Sequence, residues 1–130
     1  MKNISLKSRI LYLGAIGLSI CMLFFVVTCT LIGYDAKDMC REAQYEYEGD
    51  CVETMIASLN DDNNSFRTRN NAIWALGQMG DERALPVLQS YYTGNIPERE
   101  PYDAGISQYE LSKAIKLASG GLNLTAWAWR

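Results

Sequence analysis

The stretch NNAIWALGQMGDERALPVL, Asn70 to Leu88, has helical apolar spacing on both sides of a glycine. Ile73 and Leu76 fall on one face of the first half. Gly80 is expected to end that helix, because glycine readily adopts the left-handed backbone conformation found at helix ends. Asp81 can then accept the free backbone N–H groups of the next helix. The stretch therefore predicts two short helices joined by a tight turn.

Helical spacing also continues outside this stretch. Residues 51–59, CVETMIASL, place their apolar side chains at i, i+3, i+4 and i+7, and residues 37–48 and 107–119 have similar spacing. Only the end of the chain, LNLTAWAW at 122–129, alternates as a strand would. The sequence therefore predicts an all-α class, with one short strand as the single alternative.

The charges are distributed unevenly along the chain. All fifteen acidic residues lie after residue 34, where they outnumber nine basic residues. Binding to phosphate backbones requires clustered lysine and arginine that displace counterions. The acidic body therefore argues against a nucleic-acid partner.

Residues 10–33 form an apolar segment of twenty-four residues without a charge. As a helix it would extend about 36 Å, enough to cross a hydrocarbon core of about 30 Å. We interpret it as a transmembrane helix. A cleaved signal peptide is the first alternative, although such peptides have shorter apolar regions and a small-residue cleavage site. A lipid-modified Cys29 is the second.

The flanks of the apolar segment predict its orientation. Basic residues near the ends of a span are enriched on the cytoplasmic side. Three precede the segment and two follow it, namely Lys2, Lys7, Arg9, Lys37 and Arg41. We therefore expect a single-pass membrane protein with a cytoplasmic N-terminus, residues 1–9, and an extracytoplasmic domain, residues 34–130.

The segment around the first quoted stretch closely resembles the HEAT-like repeat of the phycobilisome-lyase type. That pattern has an arginine, an alanine-rich helix ending in Ala-Leu-Gly, a Gly-Asp turn and an Ala-x-Pro-x-Leu helix start. The best repeat covers 65–93, and the matching residues are Arg69, Ala72, Ala75, Leu76, Gly77, Gly80, Asp81, Ala84, Pro86 and Leu88.

The resemblance implies a fold and a function. It implies a short HEAT-like α-solenoid of paired antiparallel helices, with weaker repeat copies between residues 51 and 119, preceded by the transmembrane helix. In such repeats the arginine usually bonds to neighbouring turns, here Asp61, Asp62 or Asp81. The implied function is a non-catalytic scaffold that binds another protein. An accessory or assembly subunit of an enzyme complex, as among bilin lyases, is the alternative.

The residue types present argue against an enzyme. The chain contains no histidine, which removes the usual general base and the commonest metal ligand. The acidic stretch 60–64, NDDNN, lacks the spacing of a calcium-binding loop and is interpreted as a solvated turn. We therefore expect no catalytic residue, no cofactor and no metal ion.

Two further sets of residues are candidates for specific contacts. Cys40 and Cys51 would form a disulfide in an oxidising compartment only if the chain bends near Gly49, because a continuous helix would separate them by about 16 Å. Large aromatic side chains are frequent anchors of protein interfaces. The candidate anchors are Tyr91, Tyr92, Trp127 and Trp129, although the two tryptophans could instead cap the domain or lie at the membrane interface.

Overall fold

The computed structural model describes the backbone of residues 5–129 and the side chains of residues 5–126. No strand occurs within these residues, and the all-α class is confirmed. The elements in chain order are α1 (Leu6–Glu46), α2 (Cys51–Asn60), α3 (Phe66–Met79), a 3-10 turn (Glu82–Ala84), α4 (Leu85–Tyr91), α5 (Gln108–Ala118) and α6 (Leu124–Trp129).

The C-terminal segment is helical, so the short strand considered for 122–129 is wrong. The side chain of Asn123 accepts a 3.0 Å hydrogen bond from the backbone N–H of Ala126 at the start of α6. This is the bond that an N-terminal cap makes, and it favours a helical turn over an extended chain. The alternation of apolar and polar residues was too short to distinguish a strand from a helix.

Helix α1 is one continuous helix of 41 residues. It contains the apolar segment 10–33. Of the predicted cytoplasmic N-terminus, residues 1–9, the structure describes only residues 5–9. The expected domain boundary at residue 34 lies within this helix, because no helix breaker separates the apolar half from the polar half. Within the described residues α1 is the one helix long and apolar enough to cross a membrane, and none of its most apolar window is buried.

Helices α3 and α4 form an antiparallel pair around the glycine turn. Gly80 has a left-handed φ of 58°, and its N–H donates a 3.0 Å hydrogen bond to the carbonyl of Leu76. Asp81 then accepts a 2.9 Å hydrogen bond from the N–H of Arg83. Helix α2 also contacts α3.

Helices α3 and α5 pack side by side and run in the same sense. Asn70 bonds to Ser107 near their first turns, and Gly77 faces Ala114 farther along both helices. A Cβ atom at Gly77 would lie only 2.8 Å from the Cα atom of Ala114. The absence of a side chain at this position therefore permits a close contact between α3 and α5.

Helices α1 and α2 depart from the antiparallel pairing implied by the resemblance. Cys40 lies beside Cys51 at the start of the contact, and Tyr47 bonds to Asp61 at its end. The two helices therefore run in the same general sense. The chain reaches this arrangement by leaving α1 at Tyr47 and returning in an extended conformation to the start of α2.

The core lies between α2, α3, α4 and α5. Met39 and Ala43 of α1, and Tyr47 just after it, also pack in or against this core. The largest fully buried apolar side chains are Leu59, Ile73, Leu76, Leu88 and Leu111.

Candidate protein-binding site

Arg69 connects three elements of the domain from a buried position. Its Nε donates a 2.8 Å hydrogen bond to the carbonyl of Leu59, at the end of α2. One terminal nitrogen lies 2.9 Å from a carboxylate oxygen of Asp62, and the other donates a 3.4 Å hydrogen bond to the hydroxyl of Tyr91. The structure thus pairs Arg69 with one of the three acids considered, whereas Asp81 pairs with Arg83.

Most other residues of the repeat motif are also internal. Gly80 and Asp81 are half-buried in the turn, and Pro86 is exposed in the first turn of α4, where its missing N–H costs little. The buried members include the alanines and leucines that fill the seams between helices. They are Ala72, Ala75, Leu76, Gly77, Ala84 and Leu88.

A groove of about 280 Å³ lies between α1, α2 and α3, at the end of α1 farthest from the apolar segment. Its accessible lining is mainly polar, with Met39 as a partly exposed apolar side chain and Tyr47 at one end. Glu42 and Glu46 form an acidic rim one helical turn apart on α1. The groove therefore has the charge to attract a positively charged group.

A hydrogen-bond network holds the closed end of this groove. The Tyr47 hydroxyl donates a 2.7 Å hydrogen bond to Asp61 and accepts a 3.0 Å hydrogen bond from Asn64. Asn64 also donates to the carbonyl of Ser58. The Tyr47 bond lowers the pKa of Asp61 and, conversely, raises the pKa of Tyr47. The network therefore keeps an ionised carboxylate beside the groove.

The acidic rim is not neutralised within the described structure. Neither Glu42 nor Glu46 forms a salt bridge there, and both side chains are exposed. Exposed charges of one sign beside a concave surface attract a partner of the opposite sign. The groove is therefore a candidate for recognition of a basic group.

Comparison with known families identifies the repeat. Residues 34–99 match the family model described as HEAT repeats, which is just over half of the 130 residues. The chain belongs to the HEAT repeat family. The match includes the second half of α1 and all of α2, α3 and α4, while α5 and α6 follow it. No curated protein and no solved structure matches the chain.

The matched range differs from the range inferred from the resemblance. It begins before residue 51 and ends before residue 119, so the HEAT repeats include the polar half of α1. HEAT repeats generally mediate protein–protein interaction through extended helical surfaces. In this HEAT-repeat protein the groove between α1, α2 and α3 lies within the matched range.

The aromatic side chains considered as anchors lie in different environments. Tyr91 and Tyr92 are half-buried and pack against the core. The Tyr91 hydroxyl donates a 3.0 Å hydrogen bond to Asn60, and its ring lies 5.7 Å from the Arg69 guanidinium carbon. Trp127 and Trp129 lie in α6, but their side chains are outside the described part. A binding role for these four residues stays a prediction.

Asn70 is an important buried residue that the sequence did not single out. Its amide donates hydrogen bonds of 2.8 and 2.9 Å to the carbonyls of Tyr102 and Gly105, and its oxygen accepts one of 2.8 Å from the N–H of Ser107. Asn70 therefore fixes the end of the loop 92–107 against α3. The one indication in the sequence was that a polar residue occurs in a helix segment whose neighbouring residues are buried.

Glu100 fixes the same loop to the start of α5. Its carboxylate accepts hydrogen bonds of 2.6 Å from the Ser107 hydroxyl and 2.7 Å from the N–H of Gln108. Partial burial raises the pKa of Glu100, but the hydrogen bonds from Ser107, Tyr109 and Gln108 outweigh it and lower the pKa. The charge is favourably placed, because a helix N-terminus attracts an anion.

A disulfide joins Cys40 of α1 to Cys51 at the start of α2, with 5.2 Å between their Cα atoms. The contact is possible because α1 ends at Glu46 and the chain turns back through Gly49, whose φ is 131°. Few residues other than glycine adopt this φ. The bend near Gly49, on which a disulfide depended, is therefore present in the structure.

The described residues offer little for metal or cofactor chemistry. Within them, no group of three or more histidine, cysteine, aspartate or glutamate side chains is placed to hold a metal ion. The motif and network side chains described above are engaged with each other.

Proposed function

We propose that this HEAT-repeat protein is a single-pass, membrane-anchored module that binds another protein and does not catalyse a reaction. The acidic groove between α1, α2 and α3 is the single observation that carries this proposal. It combines a mainly polar lining, an acidic rim that forms no salt bridge in the described structure and a fixed polar end, within a family that generally mediates protein–protein interaction.

Helix α1 supports the membrane anchor. Its charge-free segment 10–33 is exposed over nearly its whole length, which would be unfavourable in water. A bilayer core provides the apolar surroundings that such a helix requires. The charge bias of the flanks favours a cytoplasmic N-terminus. The disulfide agrees with this orientation, because disulfides persist mainly in oxidising compartments.

The groove favours a particular chemistry in the partner. Its volume of about 280 Å³ is at the lower limit of small-molecule pockets and suits one or two side chains. Lysine and arginine carry an apolar stem with a charged end. We expect such a side chain to place its stem against Met39, which is partly exposed in the groove, and its charge between Glu42 and Glu46.

Membrane attachment would compensate for the small size of this groove. An interface of one or two side chains gives modest affinity by itself. Tethering both proteins to one membrane raises their effective concentration and makes a modest interface sufficient.

Charge reversal on the rim tests the proposed function. In the variant Glu42→Lys with Glu46→Lys, the two helix positions repel each other as before, so the stability of α1 should change little. Glu98→Lys is the matched control, because Glu98 is also exposed but lies in the loop after α4. The measurement is the stoichiometric recovery of the partner from detergent-solubilised native membranes.

We expect the double variant to lower that recovery about tenfold, because placing like charges together costs at least about 1.4 kcal/mol. The control should recover the same amount as the natural protein. Equal recovery with all three proteins would contradict the proposed groove.

The motif resemblance to phycobilisome-lyase-type repeats supports a second candidate function. In that case the partner would be an enzyme, and the protein would act as its accessory or assembly subunit. Catalytic activity in the recovered complex, dependent on the same rim charges, would distinguish this candidate from a simple scaffold.

A further inference from the structure

The segment before and within α6 has an unusual distribution of side chains. Leu122 and Leu124 are 90% and 65% exposed. Asn123, which lies between them, turns inward and donates hydrogen bonds of 3.4 and 3.3 Å to the backbone and side-chain oxygens of Gln78. Thr125 is partly buried and bonds to Asn123 at 2.7 Å. The polar side chains therefore face the protein, and the large apolar ones face outward.

This distribution is the reverse of the one expected beside water. A water-facing segment normally buries its leucines and exposes its asparagine and threonine, since burial of apolar surface is the main favourable term in folding. The same region also lacks charge, because no acidic or basic residue occurs between Lys116 and Arg130. Its outward surface is therefore suited to apolar surroundings.

Helix α6 also lies against the apolar part of α1. The two helices are in contact, and Cys29 and Gly33 are buried although they belong to the charge-free segment 10–33. The described α1 residues that pack in or against the HEAT core begin only at Met39. We therefore attribute the burial of Cys29 and Gly33 to the C-terminal segment.

We propose that residues 121–129 lie in the interfacial layer of the same bilayer that holds α1, with Leu122 and Leu124 inserted among the lipids. The occupant of this surface is lipid rather than protein, because the surface is continuous with the exposed apolar flank of α1 and carries no charge. Apolar side chains of interfacial segments enter the boundary between headgroups and acyl chains. This inference rests on the proposed membrane anchor.

Such a second membrane contact would fix the orientation of the HEAT domain. A domain attached by one helix alone can rotate about that helix. With α6 also in the interface, α1 and α6 together define which side of the domain faces the bilayer. The acidic groove lies at the opposite end of the packed part of α1, so it would point away from the membrane.

Site-directed spin labelling of the full chain in phosphatidylcholine vesicles tests the inference. The background is Cys21→Ala with Cys29→Ala, which removes the free cysteines and keeps the disulfide. Labels are placed at Leu122→Cys and, as a second site, Leu124→Cys. Two reference sites are Leu18→Cys within the apolar helix and Ile96→Cys in the exposed loop. Circular dichroism confirms that each variant is helical.

The readout compares collisions of each label with molecular oxygen, which concentrates in lipid, and with a water-soluble nickel complex. We expect the labels at 122, 124 and 18 to favour oxygen and the label at 96 to favour nickel. Nickel preference at 122 and 124 would overturn the inference. Protection from both reagents there would also overturn it, since the surface would then be covered by protein. If the label at 18 favours nickel, the membrane anchor itself is wrong.

Discussion

The hydroxyl of Tyr47 donates a 2.7 Å hydrogen bond to the carboxylate of Asp61, and this bond joins the end of α1 to the turn between α2 and α3. It also closes the end of the acidic groove. A single contact therefore links the long N-terminal helix, the HEAT repeat and the proposed binding surface.

Removing this hydrogen bond should change the titration of Asp61. The bond lowers the pKa of Asp61 in the folded protein. A lowered folded-state pKa stabilises the protein above the ordinary aspartate pKa, and this contribution is lost as the pH falls through the folded value. In Tyr47→Phe we expect the pKa of Asp61 to rise and the acid dependence of stability to weaken.

The measurement for this variant is an NMR titration of the Asp61 carboxyl carbon, combined with urea unfolding at neutral and acidic pH. Tyr45→Phe is the control, because Tyr45 is exposed two positions earlier on α1. An unchanged Asp61 titration in Tyr47→Phe would show that the hydrogen bond has no electrostatic effect.

Arg69 should contribute to stability much more than its neighbour Arg67. Arg69 is only 7% exposed and bonds to Leu59, Asp62 and Tyr91. Arg69→Ala leaves the buried Leu59 carbonyl without its charged donor, so we expect a loss of about 2 to 3 kcal/mol in the free energy of unfolding. Arg67→Ala removes an exposed ion pair and should change the free energy of unfolding little. Chemical denaturation of both variants gives the comparison, and equal losses would be inconsistent with a structural role of the motif arginine.

Gly77 should tolerate no added methyl group. Its Cβ would lie 2.8 Å from the Cα atom of Ala114, so α3 and α5 would have to separate. We expect Gly77→Ala to destabilise the fold by about 1 to 3 kcal/mol through overpacking. Gly105→Ala is the control, because a Cβ atom there meets nothing within 4 Å. If thermal unfolding of the two variants occurs at the same temperature, the close helix contact is not as described.

Loss of the disulfide should destabilise the domain without unfolding α1. The bridge joins two cysteines that are eleven positions apart in the sequence, so it closes a short loop. By the chain-entropy model such a loop is worth about 3 kcal/mol. We expect Cys40→Ala with Cys51→Ala to lower the free energy of unfolding by that amount. Thiol alkylation of protein purified without reductant, which should modify neither cysteine, supplies the control. Modification of both would show that the bridge does not form in the natural compartment.

The sequence predicted the features that depend on nearby residues. Helical spacing and the motif around Gly80 were sufficient for the all-α class and for the turn between α3 and α4. The repeat family followed from the same short motif. These features are encoded within one or two helical turns, so they could be recognised without knowledge of the tertiary contacts.

Features that depend on distant residues were not predictable in this way. The buried amide of Asn70 bonds to carbonyls 32 and 35 residues later, and spacing along a helix contains no information on such partners. Helices α1 and α2 run in the same direction because the chain turns back through Gly49, and helical spacing does not predict this turn. The contact of α6 with α1 joins residues far apart in the sequence, and only the tertiary fold brings them together.

Site-specific photo-crosslinking in intact cells tests the central claim most directly. A photoreactive residue replaces Thr68, which lines the acidic groove, or Gln89, which is exposed on α4 outside it. We predict one discrete protein adduct from position 68, absent from position 89 and lost when Glu42 and Glu46 are changed to lysine. No adduct from position 68, or the same adduct from both positions, would contradict the claim that this groove binds a partner.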